Sequence, residues 1–137
     1  MITNSTFTEN IGSGQVMAFD HVEMEMRTTM FKDNKMLGPS GTTVKATETK
    51  MLLREQVSFH NNEGVTGGAL RMTHHSSLMS IETEFISNVA HEMGGAMMLS
   101  EVYDITLRNT NFTLNRSNKI ASVIWASNGH EKTNIIA

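Results

Sequence analysis

The chain has 137 residues, of which 39% are apolar and 18% charged, with a net charge of −3. One ordinary domain fits that length, and the apolar content excludes an intrinsically disordered chain. A weakly acidic balance without a basic run argues against nucleic acid and anionic membranes as partners, and zero cysteines remove disulfide and thiolate chemistry. No apolar run reaches the roughly 18 residues needed to span a membrane. The start, MITNSTFTEN, has neither the basic region nor the apolar core of a signal peptide.

The first element is Phe7-x-x-Asn10, and it recurs as Phe31/Asn34, Phe59/Asn62, Phe85/Asn88 and Phe112/Asn115. The Phe spacings are 24, 28, 26 and 27 residues, a period that signals a stacked repeat architecture. A second element, Gly67-Gly68-Ala69, recurs as Gly94-Gly95-Ala96. Its outer counterparts are Ser13-Gly14-Gln15, Gly41-Thr42-Thr43 and Ala121-Ser122-Val123. From each such element to the next Phe is 18 residues in all four cases, whereas Phe to the next element varies from 6 to 10. Fixed length is required where neighbouring repeats stay in register. Variable length is expected of loops that leave the body and return, here residues 11–12, 35–40, 63–66, 89–93 and 116–120.

Columns across the repeat predict three short strands per unit. Three residues into each element stand Val16, Val44, Leu70, Met97 and Ile124; five residues in stand Ala18, Ala46, Met72, Leu99 and Ala126. The mixed column between them is Met17, Lys45, Arg71, Met98 and Trp125, so the alternation is that of a strand with one buried face. Seven residues before each Phe, Met24, Leu52, Leu78 and Ile105 mark a second strand. Two residues before each Phe, Ser5, Thr29, Val57, Thr83 and Thr110 mark a third, sharing the Phe face. Helical spacing never persists.

Three parallel strands per unit of about 26 residues describe an all-β, right-handed parallel β-helix of about five coils, centred on the five Phe. Like then stacks on like. The Phe form an internal column, the Asn form an axial ladder of amide hydrogen bonds, and the glycine pairs turn corners that need positive φ or close approach. Neither end reads as a polar cap. We therefore expect residues 1–137 to be one segment of a longer solenoid, with signal, caps and anchor elsewhere.

Phe-x-x-Asn combined with Gly-Gly-Ala-[Ile/Leu/Val] resembles the repeats of the chlamydial polymorphic outer membrane proteins, and more broadly the right-handed β-helix repeats of secreted and surface proteins. The likeness covers the chain and is strongest over residues 59–70 and 85–97. It implies the passenger part of an autotransporter, an adhesive role and an extracellular or cell-surface location.

Catalytic residues would have to line up in a column. Eleven residues before each Phe stand Asp20, Glu48, His74 and Glu101, a row that could bind Ca²⁺ or line a sugar groove. A solvated turn is the plainer reading, and the same holds for Glu9 and Asp33. His74 and His75 are expected on opposite faces of a strand, and the six His lack zinc spacing. Asn128-Gly129-His130 is only a fragment of a hydrolase signature, and Gly67-Gly68 lacks a phosphate-loop context. Sequons begin at Asn4, Asn111 and Asn115, the last being a ladder position. The expectation is therefore a non-catalytic structural or adhesive solenoid without cofactor or metal. Its partners would be neighbouring coils, other solenoid copies, or host or matrix proteins and glycans. A segment of a polysaccharide lyase or glycoside hydrolase is the alternative.

Overall fold

A single coil of short strands cannot bury a face alone, and here each strand finds its partner one repeat along the chain. The structure, a computed structural model, describes residues 1–127. Among them there are strands and no helix, arranged as a parallel β-solenoid of about five turns with a period of about 27 residues. The strands form three sheets, one of eight strands and two of five.

The second sheet carries the Phe motif on Thr6–Thr8, Met30–Lys32, Ser58–His60, Glu84–Ile86 and Asn111–Thr113. Phe7, Phe31, Phe59, Phe85 and Phe112 are directly in register. Their ring centroids lie 4.9–5.1 Å apart and their planes are nearly parallel, within 5–15°, as the expected column requires. The three inner rings are fully buried, while Phe7 and Phe112 are partly open.

Just beyond this sheet runs the Asn ladder. Nδ2 of Asn10, Asn34, Asn62 and Asn88 donates to Oδ1 of the Asn one coil on, at 2.8–3.0 Å. The same oxygens accept the backbone N–H of the preceding Asn at 3.0–3.2 Å. From Asn34 to Asn115, Nδ2 also donates to the carbonyl of the Phe one coil back, at 2.7–2.9 Å. One side chain thus satisfies two donors and two acceptors at a bend where the backbone ladder is broken.

The residues expected as variable loops are a third sheet instead. Ile11–Gly12, Lys35–Met36, Glu63–Thr66, Val89–Met93 and Arg116–Ser117 pair in parallel before the chain leaves for the next corner. Two-residue strands carry too little alternation to be read locally; their neighbours impose the pairing. Length varies beyond them, most visibly at 37–41, and by one residue within the pair Glu63–Thr66 and Val89–Met93, where the register shifts.

The constant count of 18 conceals two compensating corners. In the wide sheet, Asp20 and Glu23 pair with Thr47 and Lys50, so two residues turn each of the first two coils. Thr73 and Ser77 pair with Thr47 and Lys50, so three residues turn the third. The second coil regains the difference at the next corner: Arg27 and Met30 pair with Arg54 and Ser58. Three inferred columns shift accordingly. Met17 and Phe19, not Val16 and Ala18, oppose Val44 and Ala46, and Ala18 is exposed beside Lys45. Met51, not Leu52, opposes Met24 and Leu78 and is 1% exposed.

Every non-glycine residue with positive φ sits at one of four corner rows. Each costs roughly 1–2 kcal/mol, which the sheet pairing on both sides must offset. At the corner entering the wide sheet the cost is avoided by Gly67 and Gly94, with φ of 68° and 66°. Their successors serve a different need. A Cβ on Gly68 or Gly95 would strike backbone of the adjacent coil, so the pair divides between turning and close approach.

Because the inner rings have neighbours on both faces, Phe59→Ala or Phe85→Ala should cost about 3–5 kcal/mol in denaturant unfolding. Phe7→Ala, packed on one face only, should cost clearly less; equal losses at both places would argue against the stacked core.

Candidate functional site

The acidic row exists at the turn inside the wide sheet, with one member changed. Asp20 belongs to the row of Thr47; the corner row itself is His21, Glu48, His74 and Glu101. The cause is the corner compensation described above. His21 bridges the two carboxylates, with Nδ1 2.9 Å from Asp20 Oδ1 and Nε2 2.9 Å from Glu48 Oε2. His74 and His75 do not alternate on a strand. Both take positive φ, 48° and 52°, and both are exposed at the three-residue turn. His75 instead lies against Tyr103, with centroids 5.1 Å apart. No group of three or more metal-ligating side chains is present among the described residues.

Glu9 and Asp33 share the left-handed corner before the Asn ladder, where Asn61 Nδ2 donates to Asp33 Oδ1 at 2.6 Å. Beside it, the third sheet displays an axial chain of charge. Lys35 Nζ lies 2.9 Å from Glu63 Oε2, and His91 Nε2 lies 2.6 Å from Glu63 Oε1. Burial pushes the Glu63 carboxyl up, but hydrogen bonds and charge from Lys35 and His91 pull harder, holding it below its ordinary 4.5. These contacts cross-link three successive coils. Asn115 is buried within the ladder, whereas Asn4 and Asn111 are exposed. Asn128-Gly129-His130 lies outside the described residues.

A second surface was not anticipated from the sequence. At the corner between the wide sheet and the Phe sheet, a groove of about 670 Å³ crosses all five coils along the solenoid axis. One rim is the left-handed row Thr28, Gln56, Glu82 and Asn109. The other is the outward row Thr6, Met30, Glu84 and Asn111, with Ser58 recessed between Met30 and Glu84. Thr29, Val57 and Ser58 form a buried floor. His60 also lines the groove; its Nε2 is buried without a hydrogen-bond partner, the nearest carboxylate oxygen being Glu84 Oε2 at 3.5 Å. The sequence signal was present as a small residue in an outward column. Ser58 stands where the adjoining coils have Met30 and Glu84.

Comparison with protein-family models, with curated proteins and with solved structures returned no match.

The depressed Glu63 carboxyl fixes a pH dependence. Its stabilising contribution is complete above the ordinary value of 4.5 and is lost as pH falls through the lower folded value. Melting temperatures of wild type and Glu63→Gln should therefore differ most near neutral pH and converge on acidification below the ordinary 4.5. A gap that widens on acidification would contradict the Lys35–Glu63–His91 contacts.

Proposed function

We propose that the chain is a structural or adhesive segment of an extracellular or cell-surface β-solenoid, presenting its outward rows and corners to proteins or glycans without catalysis. The observation that carries this reading is the unbroken axial order. Five Phe rings and five Asn amides continue from coil to coil with no interruption. Interior chemistry goes into one continuous axial stack, and an elongated stack is suited to holding surfaces at a distance. The resemblance of Phe59-x-x-Asn62 and Gly67-Gly68-Ala69 to chlamydial passenger repeats supports the same reading. The enzyme alternative draws less support: the row it would use is partly occupied by His21 contacts to Asp20 and Glu48.

The chain immobilised on beads should bind cell surfaces, matrix proteins or glycans saturably. It should also release no sugar from acidic polysaccharides, with or without Ca²⁺. Polysaccharide cleavage, or failure to bind any such surface, would overturn the reading.

A further inference from the structure

We propose that the corner groove is a binding site for an extended, uncharged polysaccharide lying along the solenoid axis. The proposal deepens the adhesive reading and rests on it, but it stands on a separate part of the geometry.

The second coil, counted as in the wide sheet, departs from its neighbours at this corner. Elsewhere the turn uses one left-handed residue, Thr28, Glu82 or Asn109; here it uses two, Glu55 and Gln56, with φ of 57° and 66°. Two residues later, the outward row drops from Met30 to Ser58 and rises again to Glu84. The extra turn residue and the short side chain together cut a notch at the middle of the groove. His60 Nε2 stands beside it without a hydrogen bond, 3.5 Å from Glu84 Oε2. A buried polar atom without a partner is costly, and a ligand hydroxyl would satisfy it.

The rest of the groove selects the class of ligand. It repeats at the coil spacing, about 5 Å between successive Phe rings, which suits a polymer of repeating units better than one compact molecule. Its rims carry hydroxyls and amides, among them Thr28, Gln56, Asn109 and Asn111, which both donate and accept. No Lys or Arg lines it, whereas Glu82 and Glu84 do. Polyuronates, sulfated glycans and nucleic acid would therefore meet like charge, while sugar hydroxyls can donate to both carboxylates. Met30, 38% exposed, offers apolar surface to the C–H face of a sugar ring. An extended peptide is a poorer occupant. Along the axis it would run across the strands and could not add to a sheet edge.

Affinity electrophoresis through hydroxyethyl cellulose, galactomannan and xylan, with polygalacturonate as the charged control, tests this directly. Calorimetry with β-linked glucose, mannose and xylose hexasaccharides supplies dissociation constants. At least one neutral glycan should bind, and Ser58→Arg, which fills the notch, should weaken it by about tenfold or more. Glu84→Ala, an exposed position, should weaken it similarly with an unchanged melting temperature, should the Ser58 variant fold poorly. Lys45→Ala, on the wide sheet, should leave binding unchanged. No binding to any of the neutral glycans, a preference for polygalacturonate, or binding indifferent to both groove substitutions would overturn the proposal. Retained adhesion in the bead assay would then place the adhesive surface elsewhere on the solenoid, whereas loss of adhesion altogether would remove the broader reading as well.

Discussion

An asparagine amide repeated at one corner holds this molecule in register. Parallel strands stacked along an axis need a bend after every few residues, and a bend interrupts the backbone ladder that gives the stack its cohesion. The Asn of each Phe-x-x-Asn restores it, because its Oδ1 takes two donors from the coil before it and its Nδ2 reaches coils on both sides. Position is therefore specified by directional bonds at the corner, and burial energy is supplied by the Phe column a few residues away. The two effects are complementary: ring stacking tolerates small slips, whereas the amide ladder does not.

Other corners are free to vary because this one is not. The wide sheet turns with two residues in early coils and three in later ones, and the second coil compensates at the next corner so that its Phe arrives in register. Threonine hydroxyls support that corner. Thr29 and Thr83 donate to the carbonyl two residues back, at 2.8 and 3.2 Å, whereas the second coil has Val57 and an additional left-handed residue. The groove is a by-product of this tolerance. A coil that lengthens its turn and shortens one outward side chain leaves a recess without disturbing the interior.

How much of this was legible in the sequence follows from which positions repeat by identity and which only by type. Phe and Asn recur as themselves, so their columns were read correctly in all five coils, as were the roles of Gly67, Gly68, Gly94 and Gly95. Apolar columns recur only as a class, and a one-residue slip still lands on an apolar residue. Val16 stood in for Met17, and Leu52 for Met51, without any warning from composition. Asp20 was drawn into the row of Glu48 by the same slip, and Phe19, which opposes Ala46, was missed. The third sheet was mistaken for loops because strands such as Lys35–Met36 are too short to show alternation. The groove was illegible because its shape depends on which way Ser58 and His60 face, a consequence of register.

The functional reading inherits this division. The stacked interior is read from repeated identities, and the surfaces that would touch a partner lie on the rows that differ from coil to coil. Both depend on the amides acting as one axial chain. A double-mutant cycle on Asn62→Ala and Asn88→Ala, followed by denaturant unfolding, measures that dependence most directly. The ladder predicts strong coupling, about 0.5–3 kcal/mol, because the first loss already breaks the bond the second would remove. Additive losses at the two positions would show that each Asn acts within its own coil, and would contradict the account.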